Sequence, residues 1–128
     1  MKKVFSFIAV LLITVASFAQ TNEKYVELKT KIKSDEVNPV GLNRIIYQLV
    51  FKNMDEESMK ALQEKLLAFE EIDTFTYTKA GDDFDVKISF FGELKNEGIR
   101  QAFKDAGILY VVNKRGEKIS VDEVQIKS

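Results

Sequence analysis

Apolar and polar residues alternate along residues 44–52 and then change to helical spacing along residues 56–69. The alternating set is Ile45, Tyr47, Leu49 and Phe51, and the helical set is Met59, Leu62, Leu66 and Phe69. Side chains on one face recur every two residues in a strand and about every 3.6 residues in a helix. We therefore predict a strand, a short acidic loop and an amphipathic helix between Arg44 and Phe69, with the rest of the chain packed around them.

A helix is the alternative interpretation of the first half of this stretch. Its apolar set would be Leu42, Ile45, Ile46, Leu49 and Val50, which also fit helical spacing. Asn38 would then serve as a cap and Pro39 as a first helical residue. We prefer the strand because β-branched and aromatic residues crowd the segment and Gly41 lies at its start.

The second half of the chain repeats the change of period. Residues 74–78 and 84–90 alternate on either side of a turn at residues 80–83, which predicts a hairpin with one apolar and one polar face. A second helix is predicted next, capped by Asn96 and ended by Gly107 in a left-handed conformation. Its buried stripe would be Ile99, Ala102, Phe103 and Ala106. A last buried strand is predicted over residues 108–112.

The predicted order is β-α-β-β-α-β, which is a ferredoxin-like α+β sandwich with both helices on one face of a four-stranded antiparallel sheet. We expect the strand order 4-1-3-2. The predicted core contacts are Tyr47, Leu49, Met59, Phe75, Tyr77, Val86, Ile88 and Phe103. Further edge strands are expected at both ends: one in which Val26, Leu28, Thr30 and Ile32 alternate with charged residues, and one over residues 117–121.

The first residues have the pattern of a secretory signal peptide. Lys2 and Lys3 precede an apolar run, and Ser17 and Ala19 are small residues at the −3 and −1 positions of a cleavage site after residue 19. The apolar run is shorter than the about 20 residues that a membrane span needs. We expect an exported protein, periplasmic or secreted, without a membrane segment in its mature form.

Four regions follow from these predictions. They are a signal peptide (1–19), an N-terminal extension with an edge strand and a linker (20–43), a ferredoxin-like domain (44–112), and a C-terminal hairpin with a polar tail that is expected to fray (113–128).

Composition excludes several functional classes. Loss of residues 1–19 lowers the number of basic side chains from 19 to 17 against 20 acidic ones, a net charge of −3 that argues against nucleic-acid binding. The chain has no histidine and no cysteine, so it lacks the commonest metal ligand and the usual acid–base and thiol groups of enzymes. We expect no catalysis and no cofactor.

From Asn43 to Val112 the layout resembles the heavy-metal-associated domain of copper chaperones and metal-transport ATPases. In that family a strand leads to Met-x-Cys-x-x-Cys at the start of the first helix, and Met54 falls on the family methionine. Residues 106–108, Ala-Gly-Ile, match the usual end of the second helix. The resemblance implies a ferredoxin-like fold. Glu56 and Met59 occupy the two cysteine positions, so the metal motif itself is absent.

Two functional classes follow. The first, which we favour, is an exported non-catalytic binding or interaction module on this scaffold. The alternative is a periplasmic copper-handling protein whose ligands would be Met54, Glu56 and Met59. We expect no tight metal binding there, because two thioethers and one carboxylate lack the further soft ligands that copper requires.

The sheet face away from the helices is the predicted interaction surface. Under the strand order 4-1-3-2, Ile46 and Val50 would lie beside Leu109 and Val111, all pointing away from the helices. An apolar patch of this kind indicates a cover. We expect a homodimer or another protein partner on this open face.

Overall fold

The computed structural model describes residues 23–92 and 94–126, which form an α+β fold of six strands and two helices. The strands are β1 (Lys24–Val37), β2 (Asn43–Lys52), β3 (Ile72–Ala80), β4 (Asp83–Phe91), β5 (Ile108–Val112) and β6 (Lys118–Ser120). The helices are α1 (Glu56–Leu67) and α2 (Asn96–Asp105), and a 3-10 turn covers Val121–Glu123. The predicted signal peptide, residues 1–19, lies outside the described residues.

The predicted strand–loop–helix stretch is confirmed. In β2 every second side chain from Ile45 to Phe51 is buried, and in α1 the buried residues are Met59, Leu62 and Leu66. Asn53 has a positive φ of 61° between the two elements, a conformation that asparagine adopts more readily than most residues. The helical alternative for residues 42–50 is wrong, because residues 45–50 pair with strands on both sides.

The six strands form one mixed sheet in the order β3-β4-β2-β1-β5-β6. All neighbours are antiparallel except β1 and β5, which are parallel. The predicted order of four antiparallel strands is wrong at one place, because β1 lies between β2 and β5. The burial of Val26 favours this inner position of β1. Val26 pairs with Phe51 on one side and Val111 on the other, and its exposure is 1%. β6 confirms the predicted C-terminal edge strand.

The N-terminal strand is therefore inside the sheet for its first residues and at an edge for the rest. Only Lys24–Glu27 pair with β5, whereas the pairing with β2 continues to Val37. A register shift between Leu28 and Thr30 changes the faces of the strand. Leu28 shares the helix face with Leu49, but Ile32 lies on the opposite face beside Ile46, so the expected unbroken alternation is wrong.

Both helices cover one face of the sheet, as predicted. Phe51 stands at the centre of this core, with its ring edge-on to Phe75 at 6.4 Å and to Phe103 of α2 at 5.8 Å. The predicted core contacts are confirmed, with Tyr77 partly buried and the others buried. The fold is compatible with the predicted sandwich but has two more strands than its four.

The start of α2 differs from the prediction. Lys95, not Asn96, is the N-cap residue, and the Asn96 side chain instead accepts a hydrogen bond from the backbone N–H of Ile126 at 2.6 Å. The expectation of a frayed tail is wrong up to residue 126, because Val124 and Ile126 are buried against the core. Gly107 follows the helix with a φ of +84°, as predicted.

Candidate functional site

The degenerate metal loop does not bring its three candidate ligands together. Met54 and Met59 are buried, to 6% and 0% exposure, as parts of the hydrophobic core. Glu56 is exposed at the first turn of α1. Among the described residues, no three histidine, cysteine, aspartate or glutamate side chains are grouped to hold a metal ion. A thioether in the core also cannot reach an ion in solvent unless the helix start unfolds.

The same loop has a structural task. The Asp55 side chain accepts a hydrogen bond from the backbone N–H of Ser58 at 2.7 Å and caps α1. This hydrogen bond, together with a second one from the Ser58 side chain, lowers the pKa of Asp55 below its usual value. Glu56 and Glu57 complete an acidic first turn, which the helix dipole favours.

A cleft of about 140 Å³ lies on the helix face of the sheet and is the strongest candidate site. Its floor consists of Val26 and Leu28 of β1 with Tyr47 and Leu49 of β2. These four face the core because β1 and β2 pair in register there, before the shift that follows Leu28. The floor exists only because β1 is inserted into the sheet.

The wall of the cleft comes from α2 and from the strands beyond β1. Phe103 of α2, Val111 of β5 and Ile119 of β6 add apolar surface to it. Asn113 also lines the cleft, but its side chain is engaged in the β5–β6 turn: it accepts from the backbone N–H groups of Arg115 and Glu117 and donates to the Glu117 carboxylate. That donated hydrogen bond lowers the pKa of Glu117.

The C-terminal segment of residues 124–126, here called the strap, forms another side of the cleft. Arg100 of α2 donates from Nε to the carbonyl of Val124 at 2.7 Å, and the hydrogen bond between Ile126 and Asn96 holds the other end. An ion pair between Lys104 and Asp122 fixes the 3-10 turn before the strap. The strap is therefore attached to α2 by polar contacts and to the cleft by its buried apolar side chains.

Apolar side chains dominate the lining of the cleft. The exposed Gln125 is one of its two amide side chains. Outside the lining, the exposed Lys31 extends over the ring of Tyr47, with its Nζ 6.0 Å from the ring centroid. The residues of the cleft include no nucleophile paired with a base.

The predicted interaction patch is divided by the observed topology. Ile46 and Val50 lie on the open face, but β1 separates them from β5. Val111 pairs with the buried Val26, so it faces the helices and lines the cleft. Leu109 lies at a register shift in the β1–β5 pairing and has no partner in that ladder. Leu109 is 50% exposed. The four residues therefore do not form one surface.

Sequence reasoning missed the cleft because it placed β1 at an edge and the strap in solvent. The spacing of Val121, Val124 and Ile126 is the one signal that the tail packs against the core. The floor residues Tyr47 and Leu49 were predicted as core contacts, but not as the surface of a cavity.

Comparison with known proteins gave no family model, no curated protein and no solved structure that matches the chain. Within the part of the chain that the structure describes, no helix has the length and apolar character to cross a membrane.

Proposed function

We propose that the protein is an exported, non-catalytic binding module on a ferredoxin-like scaffold of the heavy-metal-associated type, without the metal motif of that family. Relative to the four-stranded core of this scaffold, β1 is inserted between β2 and β5, and β6 adds an edge strand. The proposed ligand is a small molecule with an apolar body and a negatively charged end, bound in the cleft beneath the strap.

The cleft is the observation that carries this proposal. Its walls are mostly apolar, and a cavity of about 150 Å³ with apolar walls admits a molecule of the size of benzene. Lys31 supports a carboxylate at the end of the floor marked by Tyr47, because its ammonium group lies beside that ring. Burial of the methionines at the degenerate loop disfavours the copper-handling alternative.

Binding can be tested with hexanoate, hexanol and hexylamine as probes, because they share an apolar chain and differ in charge. We expect hexanoate to shift the amide resonances of the strap and of the floor strands most strongly in two-dimensional NMR. The variant Lys31→Gln should remove the preference for hexanoate over hexanol while leaving hexanol binding in place.

A filled cleft provides the negative control. Val111→Phe places a larger side chain among the lining residues and should abolish binding of all three probes. Leu109→Phe is the matched control, since it makes a comparable change at an exposed position of the same strand. Equal binding to both variants, or no shift with any probe in the wild-type protein, would contradict the proposal.

A further inference from the structure

Three stretches of strand have a free side among the described residues: β3, β6 and the part of β1 beyond Glu27. Free strand edges pair with other chains unless charge, irregularity or shortness prevents it. β6 has only three residues. The free part of β1 carries lysines at positions 29, 31 and 33 and has a register shift at each end of this lysine segment. Both of these edges are therefore protected.

β3 is protected only in part: a register shift between Ile72 and Thr74 precedes its central run, and the Gln63 side chain covers one outward carbonyl, that of Phe75. Thr74–Thr78 is a run of threonine and aromatic residues, without charge or proline, whose side chains favour strands. Its pairing with β4 is regular from Thr74 to Ala80. Lys79 and Asp73 stand at the two ends of the run, so the charges of this edge flank the central residues and do not interrupt them.

The backbone of β3 directs alternate residues outward. Ala80 and Asp83 close a two-residue turn, so they form a hydrogen-bonded pair. Alternation along an antiparallel ladder then points the N–H and C=O groups of Phe75, Tyr77 and Lys79 away from β4. The side chain of Gln63 confirms this direction, because its Nε2 reaches the Phe75 carbonyl from α1 at 2.7 Å.

We propose that β3 pairs with β3 of a second copy of this chain, antiparallel and about a two-fold axis at Thr76, so that the two sheets join into one. In this register Phe75 faces Tyr77 of the partner, and Thr74 faces Thr78. The strand is thus complementary to itself, because aromatic residues face aromatic residues and threonines face threonines.

Neighbouring registers keep threonine opposite threonine but replace the two aromatic pairs by one. Residues whose backbone groups point outward must pair with each other across the seam. The two-fold axis can therefore move along the strand only from one residue to the next, and each such move changes the partner of every residue by two positions. Moving it to Phe75 places Asp73 opposite Tyr77, and moving it to Tyr77 places Phe75 opposite Lys79. Asp73 also bonds Arg44 at 3.0 Å, which holds this carboxylate near the end of the strand.

The side of α1 above the β3 edge exposes an apolar residue that a partner chain could cover. Leu67 is 44% exposed and lies one helical turn from Gln63, on the same side of the helix. Lys65 lies on the flank that faces α2, where it bonds Asp105 at 2.9 Å. A two-fold axis at Thr76 brings the Leu67 flanks of both copies toward each other, and the Phe75 carbonyl keeps a second lone pair for the partner strand.

Charge at the axis tests the interface. Thr76→Glu introduces a carboxylate that faces Lys87 within one chain, but it places two carboxylates opposite each other across the seam. We expect sedimentation velocity to show a dimer for the wild-type protein and a rise of about tenfold or more in the dissociation constant for this variant. Thr30→Glu is the matched control on the edge of β1 and should leave the dimer unchanged.

Because the chain has no cysteine, single cysteine variants test the register directly. Across the axis the two Thr76 Cα atoms would be about 4.5 Å apart, within the range of a disulfide. Thr76→Cys should therefore form a disulfide-linked dimer on mild oxidation. Thr74→Cys should not, because its two copies would lie about 13 Å apart along the seam.

A monomeric wild-type protein would overturn the proposal. So would a dimer that Thr76→Glu leaves intact, or one that Thr74→Cys cross-links as readily as Thr76→Cys. A dimer cross-linked instead through Ile46→Cys would place the contact on the open sheet face and also overturn it. None of these results bears on the cleft, whose ligand is tested separately.

Discussion

The ring of Tyr25 stacks on the ring of Tyr110, with their centroids 4.9 Å apart and their planes 12° apart. The two residues pair directly across the parallel strands β1 and β5, and Lys118 lies over Tyr110 at 4.7 Å. On the other side of Tyr25, its cross-strand neighbour Lys52 bonds Asp83 at 2.9 Å. That hydrogen bond raises the pKa of Lys52. A row of side chains thus crosses the open face from β6 to β4 and joins the inserted strand to its neighbours.

The tyrosine stack should contribute measurably to stability. In a double-mutant cycle of Tyr25→Leu and Tyr110→Leu, we expect a coupling of about 0.5–1.5 kcal/mol in the free energy of unfolding, because stacked rings gain this much beyond buried area. Urea unfolding of the four proteins measures it. The pair Tyr25→Leu and Tyr77→Leu is the control and should be additive; equal coupling in both pairs would contradict the assignment.

The strap should depend on Arg100. Arg100→Met keeps much of the side chain but leaves the Val124 carbonyl without its donor, so we expect a loss of about 1–3 kcal/mol in stability and faster hydrogen exchange at Ile126. Arg115→Met is the control, since that guanidinium is 81% exposed in its ion pair with Glu117 and should change stability by less than about 0.5 kcal/mol. Unchanged exchange at Ile126 would argue against the strap.

Acid should weaken the cap of α1. The hydrogen bond from Ser58 lowers the native pKa of Asp55. The ionised carboxylate therefore stabilises the fold at any pH above its unfolded pKa of about 3.9. This stabilisation is lost as the pH falls through the native pKa. Asp55→Asn keeps a capping oxygen but does not titrate. Urea unfolding from neutral to acidic pH should show that the wild-type protein has a larger free energy of unfolding than Asp55→Asn at neutral pH and that this difference disappears in acid. Ser58→Ala retains the backbone donor and should retain the pH dependence, whereas parallel curves for Asp55→Asn and wild type would refute the role.

Copper and zinc should not bind tightly at the degenerate loop. Met54 and Met59 are core residues, so an ion would have to expose them at the cost of the packing of α1. We expect isothermal titration with Cu(I) and Zn(II) to give no sub-micromolar site, and we expect chelators to leave the unfolding midpoint unchanged. A tight Cu(I) site that vanishes in the double variant Met54→Leu, Met59→Leu would establish the copper-handling alternative.

Local periodicity was sufficient to predict every strand and helix of the central region. Ile45 to Phe51 alternate because one strand face is buried, and Met59, Leu62 and Leu66 repeat at helical spacing because one helix face is buried. Such patterns record which side of an element meets the core, so they can be recognised without knowing its neighbours. The hairpin turn and the left-handed Gly107 were likewise predictable from local chemistry.

The order of the strands was not encoded in those patterns. The sequence placed Val26 and Leu28 on an apolar face but did not indicate which strands would flank them. An edge strand and an inner strand with one solvated face show the same alternation of apolar and polar residues, so the pattern cannot distinguish them. Pairing between β1 and β5 joins residues far apart in the chain, and it depends on the complementary side chains of both strands. The sequence alone thus determined the elements and their buried faces, whereas the tertiary structure decided the insertion of β1, the packing of the strap and therefore the cleft.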